Sequence, residues 1–175
     1  MKQLLQNLRD GHTQVADVPV PGVRPKSALV KTAASLVSAG TERTLVAFAE
    51  KNLVDKARSR PDLVRQVIDK ARREGIRPTI AAAFNRLDQP MALGYSSAGT
   101  IVEVGEGLAG FQPGDRVACA GGGFAVHAEY EVVPQNLMVK LPPEVSFEAA
   151  AFTTLGAIAL QGFRLASPQV GERVA

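Results

Sequence analysis

Cysteine is nearly absent from this chain, which has a single one, Cys119, among 175 residues. One thiol cannot form an internal disulfide. It also cannot hold zinc alone, because protein zinc sites use three or four Cys, His or carboxylate ligands. The sequence therefore predicts a reducing, cytoplasmic setting and no disulfide framework.

Long hydrophobic runs are missing as well. The longest uncharged stretch, residues 149–163, is shorter than the roughly 20 residues that span a membrane, and it contains Thr, Gln and Gly. Polar residues begin at Lys2 and Gln3, too early for a signal peptide. We therefore expect neither secretion nor a membrane partner.

A strong excess of charge is also lacking. The net charge is +3, too small to indicate a nucleic-acid partner by itself. Basic side chains do cluster between Lys51 and Arg77, but acids alternate with them and no aromatic residues are interleaved to stack on bases. This segment is typical of a solvated helical face, so we expect no nucleic acid as a partner.

What is present is an ordinary globular composition, 46% hydrophobic and 21% charged. The loop Arg9-Asp10-Gly11-His12 between two apolar runs predicts a β-hairpin. Further strands are predicted at 28–35, 99–104, 116–120, 129–133 and 137–140, with a loop at 37–42. Closely spaced short strands favour a partly closed β-barrel in a mainly β fold with helices (α+β).

Two regions have helical patterns. Ser59-Arg60-Pro61-Asp62 predicts a helix start, an apolar stripe follows from Leu63 to Ala71, and Gly75 ends the helix. Pro78 then opens a second helix to Leu87. An alanine-rich helix is predicted from Ser146 to about Arg164, and residues 168–175 are typical of a turn and the start of a strand.

The order of several motifs resembles the medium-chain dehydrogenase/reductase superfamily, which contains the zinc-type alcohol dehydrogenases and the quinone reductases. These motifs are the segment 28–42, the glycine loop from Gly94, residues 105–117, Ala128-Glu129-Tyr130 and the final Val170-Gly171-Glu172-Arg173-Val174. The resemblance covers almost the whole chain outside residues 45–88. It is strongest to a branch in which this domain precedes a sugar-dehydrogenase-like module.

The resemblance implies a chaperonin-10-like (GroES-like) catalytic domain over residues 1–150, with a helical insertion at about 45–88. Residues 151–175 would be a connecting helix and the start of a nucleotide-binding domain that this sequence does not include. NAD or NADP would bind to that downstream Rossmann domain, and this fragment alone would be inactive. A small-molecule substrate and a homo-oligomer also fit the resemblance.

The sequence departs from the family at each zinc ligand. Ala39-Gly40-Thr41-Glu42 stands where zinc alcohol dehydrogenases have Cys-Gly-Thr-Asp, and Gly94-Tyr95-Ser96 replaces Gly-His-Glu. The third ligand position falls near Thr153-Thr154, where hydroxyls are the available oxygen donors. Neutral hydroxyls are poor zinc ligands, so we expect no metal.

A polar set remains. The resemblance gives Thr41 the role of a proton-relaying hydroxyl and Glu42 that of an orienting acid, and Tyr95 could donate a hydrogen bond to a developing alkoxide. Tyr95 could instead pack its ring at the barrel mouth. Ser96, Thr154 and His127 are candidate substrate contacts, although the serine could be a turn hydroxyl and the histidine a packing residue.

Two functions from different classes follow. The first is the substrate-binding domain of a zinc-independent NAD(P)-dependent oxidoreductase that acts on a carbonyl or alcohol, with a carbohydrate-derived substrate suggested by the branch. The second is a catalytically decayed barrel module used for assembly or ligand sensing.

Overall fold

The computed structural model describes residues 1–51, 55, 58, 61–79, 85, 89–169 and 171–173. These residues form two compact units. Unit 1 contains Met1, Val18–Leu36 and the chain from Gly94 onward, and unit 2 contains Lys2–Asp17 and Val37–Leu93. The helix predicted from Pro78 to Leu87 and the strand predicted at the end of the sequence lie largely outside the described residues.

The elements run in the following order along the chain. The strands are β1 (Lys2–Gln6), β2 (Thr13–Asp17), β3 (Ser27–Ser35), β4 (Met91–Ala92), β5 (Ser96–Val104), β6 (Arg116–Ala120), β7 (Tyr130–Pro134) and β8 (Met138–Lys140). The helices are α1 (Ala39–Glu50), α2 (Pro61–Glu74), α3 (Phe147–Ala150) and α4 (Thr153–Ala166), with a 3-10 turn at Gln135–Leu137.

Unit 1 is built on a curled antiparallel sheet with strand order β7-β3-β5-β6-β8. Its inner face is lined by alternate residues of the strands, and the central ones are Val30, Ile101, Val117 and Val133, each at most 1% exposed. The predicted α+β fold with a partly closed barrel is confirmed.

The outer face of the same sheet is covered by α3. Ala98 and Ala118 pack there against Ala150. Ser146 begins this helix, because its hydroxyl oxygen accepts a hydrogen bond from the Ala149 N–H at 3.2 Å. The sequence predicts one helix from Ser146, whereas the structure has two, separated at Ala151 and Phe152.

Strand β3 contains an irregularity that changes which side chains face inward. Thr32 pairs with Gly99 on β5, but the next pairs are Ala34 with Ala98 and Ser35 with Ser97. Ala33 is therefore an extra, exposed residue on β3. Such a bulge shifts the alternation of the strand by one residue, so Ser35 lies on the same inner face as Val30.

Unit 2 contains the predicted hairpin, with β1 paired antiparallel to β2 and also to β4. Helix α2 begins at Pro61 and ends before Gly75, as predicted. The predicted loop at 37–42 is wrong, because α1 already begins at Ala39. The Ser38 backbone N–H donates to the Glu42 carboxylate at 3.0 Å, which satisfies a polar group at this helix start.

Candidate functional site

The segment Gly94–Ser97 of unit 1 enters strand β5 through a sharp turn. Gly94 has a φ of +96°, a conformation that side chains disfavour. A Cβ atom there would lie 2.8 Å from the backbone nitrogen of His127. The Tyr95 carbonyl accepts a hydrogen bond from the Gly121 N–H at 2.9 Å. Glycine is therefore required at 94, and both backbone contacts fix the turn that carries the half-buried Tyr95.

Ser96 anchors this segment to the outer helices. Its hydroxyl donates to the Ala151 carbonyl at 2.6 Å, and its oxygen lies 2.8 Å from the Thr154 hydroxyl oxygen. Because a hydroxyl carries one hydrogen, Thr154 is then the donor to Ser96. The sequence suggests a turn hydroxyl as one role for Ser96, but the residue lies in β5 and is fully buried.

Ser97 anchors the same segment to the opposite, inner face. Its hydroxyl donates to Glu131 Oε1 at 2.5 Å, and both residues are at most 2% exposed. Glu131 lies on β7, two positions from β5 in the sheet order. Neighbouring strands are about 4.8 Å apart, so this contact depends on the curl of the sheet.

Burial raises the pKa of Glu131 from its ordinary 4.5 to about 7. Interactions with the Ser97 hydroxyl, the Cys119 thiol and the Val126 backbone lower the pKa but do not offset burial. The other carboxyl oxygen, Oε2, is buried and has no hydrogen-bond partner among the described residues. Glu131 is therefore substantially protonated near neutral pH.

Ser35, Ser97 and Cys119 form a row across the inner face of the sheet, because each is the directly opposite partner of the next. Burial, together with the nearby Glu131 carboxyl group, raises the pKa of the Cys119 thiol. At the other end of the row, the Ser35 hydroxyl oxygen lies 2.9 Å from His127 Nδ1. His127, a candidate substrate contact, thus bonds to the barrel wall.

Thr41 and Glu42 belong to unit 2 and lie in the first turn of α1. The Ser38 hydroxyl donates to Thr41 Oγ1 at 3.2 Å, and Glu42 accepts from the Ser38 N–H as described above. Both groups therefore take part in the start of a helix. Their participation in a site with Tyr95 remains a prediction.

An open cavity of about 500 Å³ lies on unit 1 next to Thr154. Its walls are mostly apolar and come from β6, the segment 136–139 and α4, with Thr153 and Gln161 as further polar side chains. Thr154 therefore joins two features, since it bonds to Ser96 and lines the cavity.

The residues at the family's zinc positions do not suit zinc. Ala39 has no donor atom, and Tyr95 and Thr154 offer neutral hydroxyls. Within the described part of the chain, no three His, Cys, Asp or Glu side chains are grouped so that they could hold a metal ion.

The nicotinamide cofactor also lacks its usual binding element in this part of the chain. That element is a glycine-rich turn between a parallel strand and a helix, whereas all strand pairs among the described residues are antiparallel. No helix within these residues is long and apolar enough to cross a membrane.

Glu131 and Ser35 are not among the site residues that the sequence predicts. A signal for Glu131 was present, because Val133 is a core residue of β7 and positions two apart share a face of a strand. A carboxylate at position 131 is thus inward-facing. Ser35 gave no comparable signal, since its inward direction depends on the extra residue Ala33.

Comparison with known proteins connects this geometry to a family. Residues 68–143 match the family profile described as alcohol dehydrogenase GroES-like domain. The chain is 31% identical over 112 residues to (R,R)-butanediol dehydrogenase of Bacillus subtilis, covering 49% of this chain and 32% of that protein. It is 36% identical over 72 residues to a quinone oxidoreductase of Pseudomonas aeruginosa, covering 41% of this chain and 22% of that protein.

Solved structures share the fold. The quinone oxidoreductase from Coxiella burnetii superimposes with a TM-score of 0.67 at 21% identity, over 98% of this chain and 47% of that one. For 2R,3R-butanediol dehydrogenase from Bacillus subtilis the TM-score is 0.61 at 17% identity, over 93% of this chain and 46% of that one. The chain thus spans less than half the length of these relatives. It is similar to the N-terminal GroES-like part of alcohol dehydrogenases and quinone oxidoreductases, which are members of the medium-chain dehydrogenase/reductase superfamily.

Proposed function

We propose that the chain is the substrate-binding domain of a zinc-independent NAD(P)-dependent oxidoreductase that acts on a carbonyl or an alcohol. The observation that carries the proposal is the anchored segment Gly94–Ser97. It stands where zinc-type relatives have a metal-ligand loop, yet it offers the Tyr95 phenol and is held by hydroxyl contacts at Ser96 and Ser97. Such anchoring suits a hydrogen-bond donor that must be preorganised.

In this proposal the nicotinamide cofactor supplies the hydride, and the chain supplies binding, orientation and a proton donor. The Tyr95 hydroxyl donates a hydrogen bond to the carbonyl oxygen and stabilises the negative charge that develops on it. Thr41 relays the proton and Glu42 orients the donor set, whereas Ser96, Thr154 and His127 line the substrate side. The branch resemblance favours a carbohydrate-derived small molecule.

Helix α4 supports a further domain that packs in cis. Its large apolar side chains are broadly exposed, including Ile158 at 61%, Phe163 at 55% and Leu165 at 75%. A helix that is apolar around most of its surface is normally buried. We infer that a downstream Rossmann domain covers α4 and holds the cofactor. In this arrangement residues 1–150 are the catalytic domain, and residues 151–175 are the connecting helix and the start of the Rossmann domain.

One observation favours the alternative, a catalytically decayed module for assembly or ligand sensing. Thr41 and Glu42, two of the three proposed catalytic groups, already bond to Ser38 at the start of α1. A helix start alone explains their presence. The two proposals differ in whether the Tyr95 hydroxyl contributes to turnover.

The test uses the full-length protein. Binding of NADH and NADPH is measured by fluorescence titration, and the reduction of a panel of ketones, quinones and keto-sugars is followed by the loss of cofactor absorbance. Turnover that falls in Tyr95→Phe supports the proposal. Cofactor binding without turnover of any compound favours the decayed module, and turnover unchanged in Tyr95→Phe removes Tyr95 as the donor.

A further inference from the structure

The inner face of the unit 1 sheet contains a polar group that the proposed chemistry does not use. Glu131 is 2% exposed and shares the inner face of the sheet with Val133 on its own strand and with its cross-strand partner Val30. A buried carboxyl group is costly unless it is hydrogen-bonded or neutral. We therefore asked what the carboxyl group does in the core.

The contacts of Glu131 lead to the Tyr95 turn. The Ser97 hydroxyl bonds to the carboxyl group, and Ser97 is two residues from Tyr95. On the other side of the same strand, Ser96 bonds to Ala151 and Thr154. The start of β5 is thus anchored on both faces, and Glu131 is the inner anchor.

A second set of contacts reaches the same turn from β3. Ser35 is the direct partner of Ser97 across the sheet, and its hydroxyl contacts His127. The backbone of His127 in turn lies against Gly94, with no room for a Cβ atom. A displacement of Ser97 would therefore be transmitted both along β5 and through Ser35 to the turn.

We propose that Glu131 is a positioning residue for Tyr95, acting through its hydrogen bond to Ser97 to hold the Gly94–Ser97 turn in one conformation. This inference rests on the proposed function only for its consequence in turnover. The positioning itself is a property of the fold and can be measured without substrate.

Burial favours the neutral form of the carboxyl group, whereas its polar neighbours favour the charged form but do not offset burial. Val30 lies opposite Glu131 on β3, the Ser97 hydroxyl faces it from β5, and the Cys119 thiol faces it from β6. The Val126 backbone acts on it from the loop before β7, in which His127 bonds to Ser35. Loss of the proton places a charge in this apolar interior, so the contacts of the carboxyl group should rearrange as the pH rises through about 7.

The composition of the chain provides a direct probe. The sequence has no Trp and two Tyr residues, Tyr95 and Tyr130. When the tyrosines of the full-length protein are labelled with fluorine, the NMR signal that is missing in Tyr95→Phe is that of Tyr95. This signal is recorded from pH 5.5 to 8.5, together with circular dichroism to follow folding.

We expect the Tyr95 signal to shift with a midpoint near pH 7. Glu131→Gln, which keeps the size and remains neutral, should abolish that midpoint while the protein stays folded. Glu103→Gln, which changes an exposed carboxylate on β5, is the matched control and should keep it. A Tyr95 signal that does not respond to pH in the parent protein overturns the proposal without the need for any Glu131 variant.

The outcomes separate this inference from the proposed function. A midpoint that is identical in the parent protein and Glu131→Gln overturns the positioning role, whatever the effect of Tyr95→Phe on turnover. A midpoint that disappears in Glu131→Gln supports positioning even if Tyr95→Phe leaves turnover unchanged. Where substrate turnover is found, positioning through Glu131 further predicts that the pH dependence of kcat near 7 is lost in Glu131→Gln, with a smaller effect on KM.

Discussion

The Ser97 hydroxyl and the Glu131 carboxyl group are 2.5 Å apart although strand β3 lies between their two strands in the sheet. The contact joins residues 34 positions apart in the sequence and lies inside the curled sheet. It makes a carboxyl group with a raised pKa part of the barrel interior.

The stability of the fold should therefore fall as the pH rises. Glu131 has a pKa of about 7 in the folded chain against an ordinary value of 4.5. Between these values the unfolded chain loses the proton first, so unfolding becomes easier with increasing pH until the effect is complete above about 7. The difference corresponds to about 3 kcal/mol. Urea unfolding at a series of pH values measures it.

Two variants isolate this effect. Glu131→Gln should make the unfolding free energy nearly independent of pH in the range 4.5–7, apart from the contributions of other groups. At pH 8 the Glu131→Gln variant should be more stable than the parent protein. Glu103→Gln should reproduce the parent curve. Parallel curves for the parent and Glu131→Gln would contradict the assignment.

Gly94→Ala should destabilise unit 1. The added methyl group would lie 2.8 Å from the His127 nitrogen, and the residue would keep a positive φ. We expect a loss of about 2 kcal/mol or more in unfolding free energy, measured by thermal or chemical denaturation. Gly122→Ala is the control, because nothing lies within 4 Å of a Cβ there. Equal effects of the two changes would show that the turn tolerates a side chain.

Tyr95→Phe should lower kcat of the full-length enzyme by roughly 10²-fold, as expected when one preorganised donor to a developing oxyanion is removed. The measurement is steady-state reduction of whichever carbonyl compound is found to be a substrate. Tyr130→Phe removes the other tyrosine hydroxyl of these 175 residues and should leave kcat near the parent value. A similar loss in both variants would indicate a general effect on folding rather than donation by Tyr95.

The full-length protein should act without zinc. Purified protein should contain well below one zinc per chain by elemental analysis, and treatment with a chelator should leave turnover unchanged, because Ala39, Tyr95 and Thr154 are poor zinc ligands. Stoichiometric zinc that is lost together with activity would contradict this expectation.

Cys119 should react slowly with thiol reagents while the chain is folded. The side chain is 2% exposed, and burial raises the pKa of its thiol, so little thiolate is available. Modification by an aromatic disulfide, followed by absorbance, should accelerate strongly in urea. A fast reaction in the native protein would show that the interior around Glu131 opens readily.

Much of the fold could be predicted from the sequence because local signals agree with it. The hairpin at Asp10-Gly11, the helix start at Pro61 and strand β6 follow rules of turn geometry, helix initiation and alternation. The loop at 37–42 was misjudged because Gly40 and the polar residues there resemble a turn. In the structure, the Ser38 and Glu42 bond makes the same residues a helix start.

The candidate site was less predictable. The position of Tyr95 followed from the family resemblance, but the support of its turn did not, because that support joins residues far apart in the sequence. The contact of Ser97 with Glu131 requires the curl of the sheet, and that of Ser35 with His127 requires the bulge. Neither feature can be obtained from a period-two pattern.

The extra residue Ala33 divides β3 into two segments with opposite alternation. Before it, even-numbered residues such as Val30 face the barrel interior, and after it the odd-numbered Ser35 does. In evolutionary terms, a one-residue deletion at Ala33 would exchange the inward and outward faces of the end of the strand without altering any side chain. We therefore expect chain length at this position to be under stricter constraint than residue identity, and relatives with substitutions at Ala33 to be far commoner than relatives that lack it.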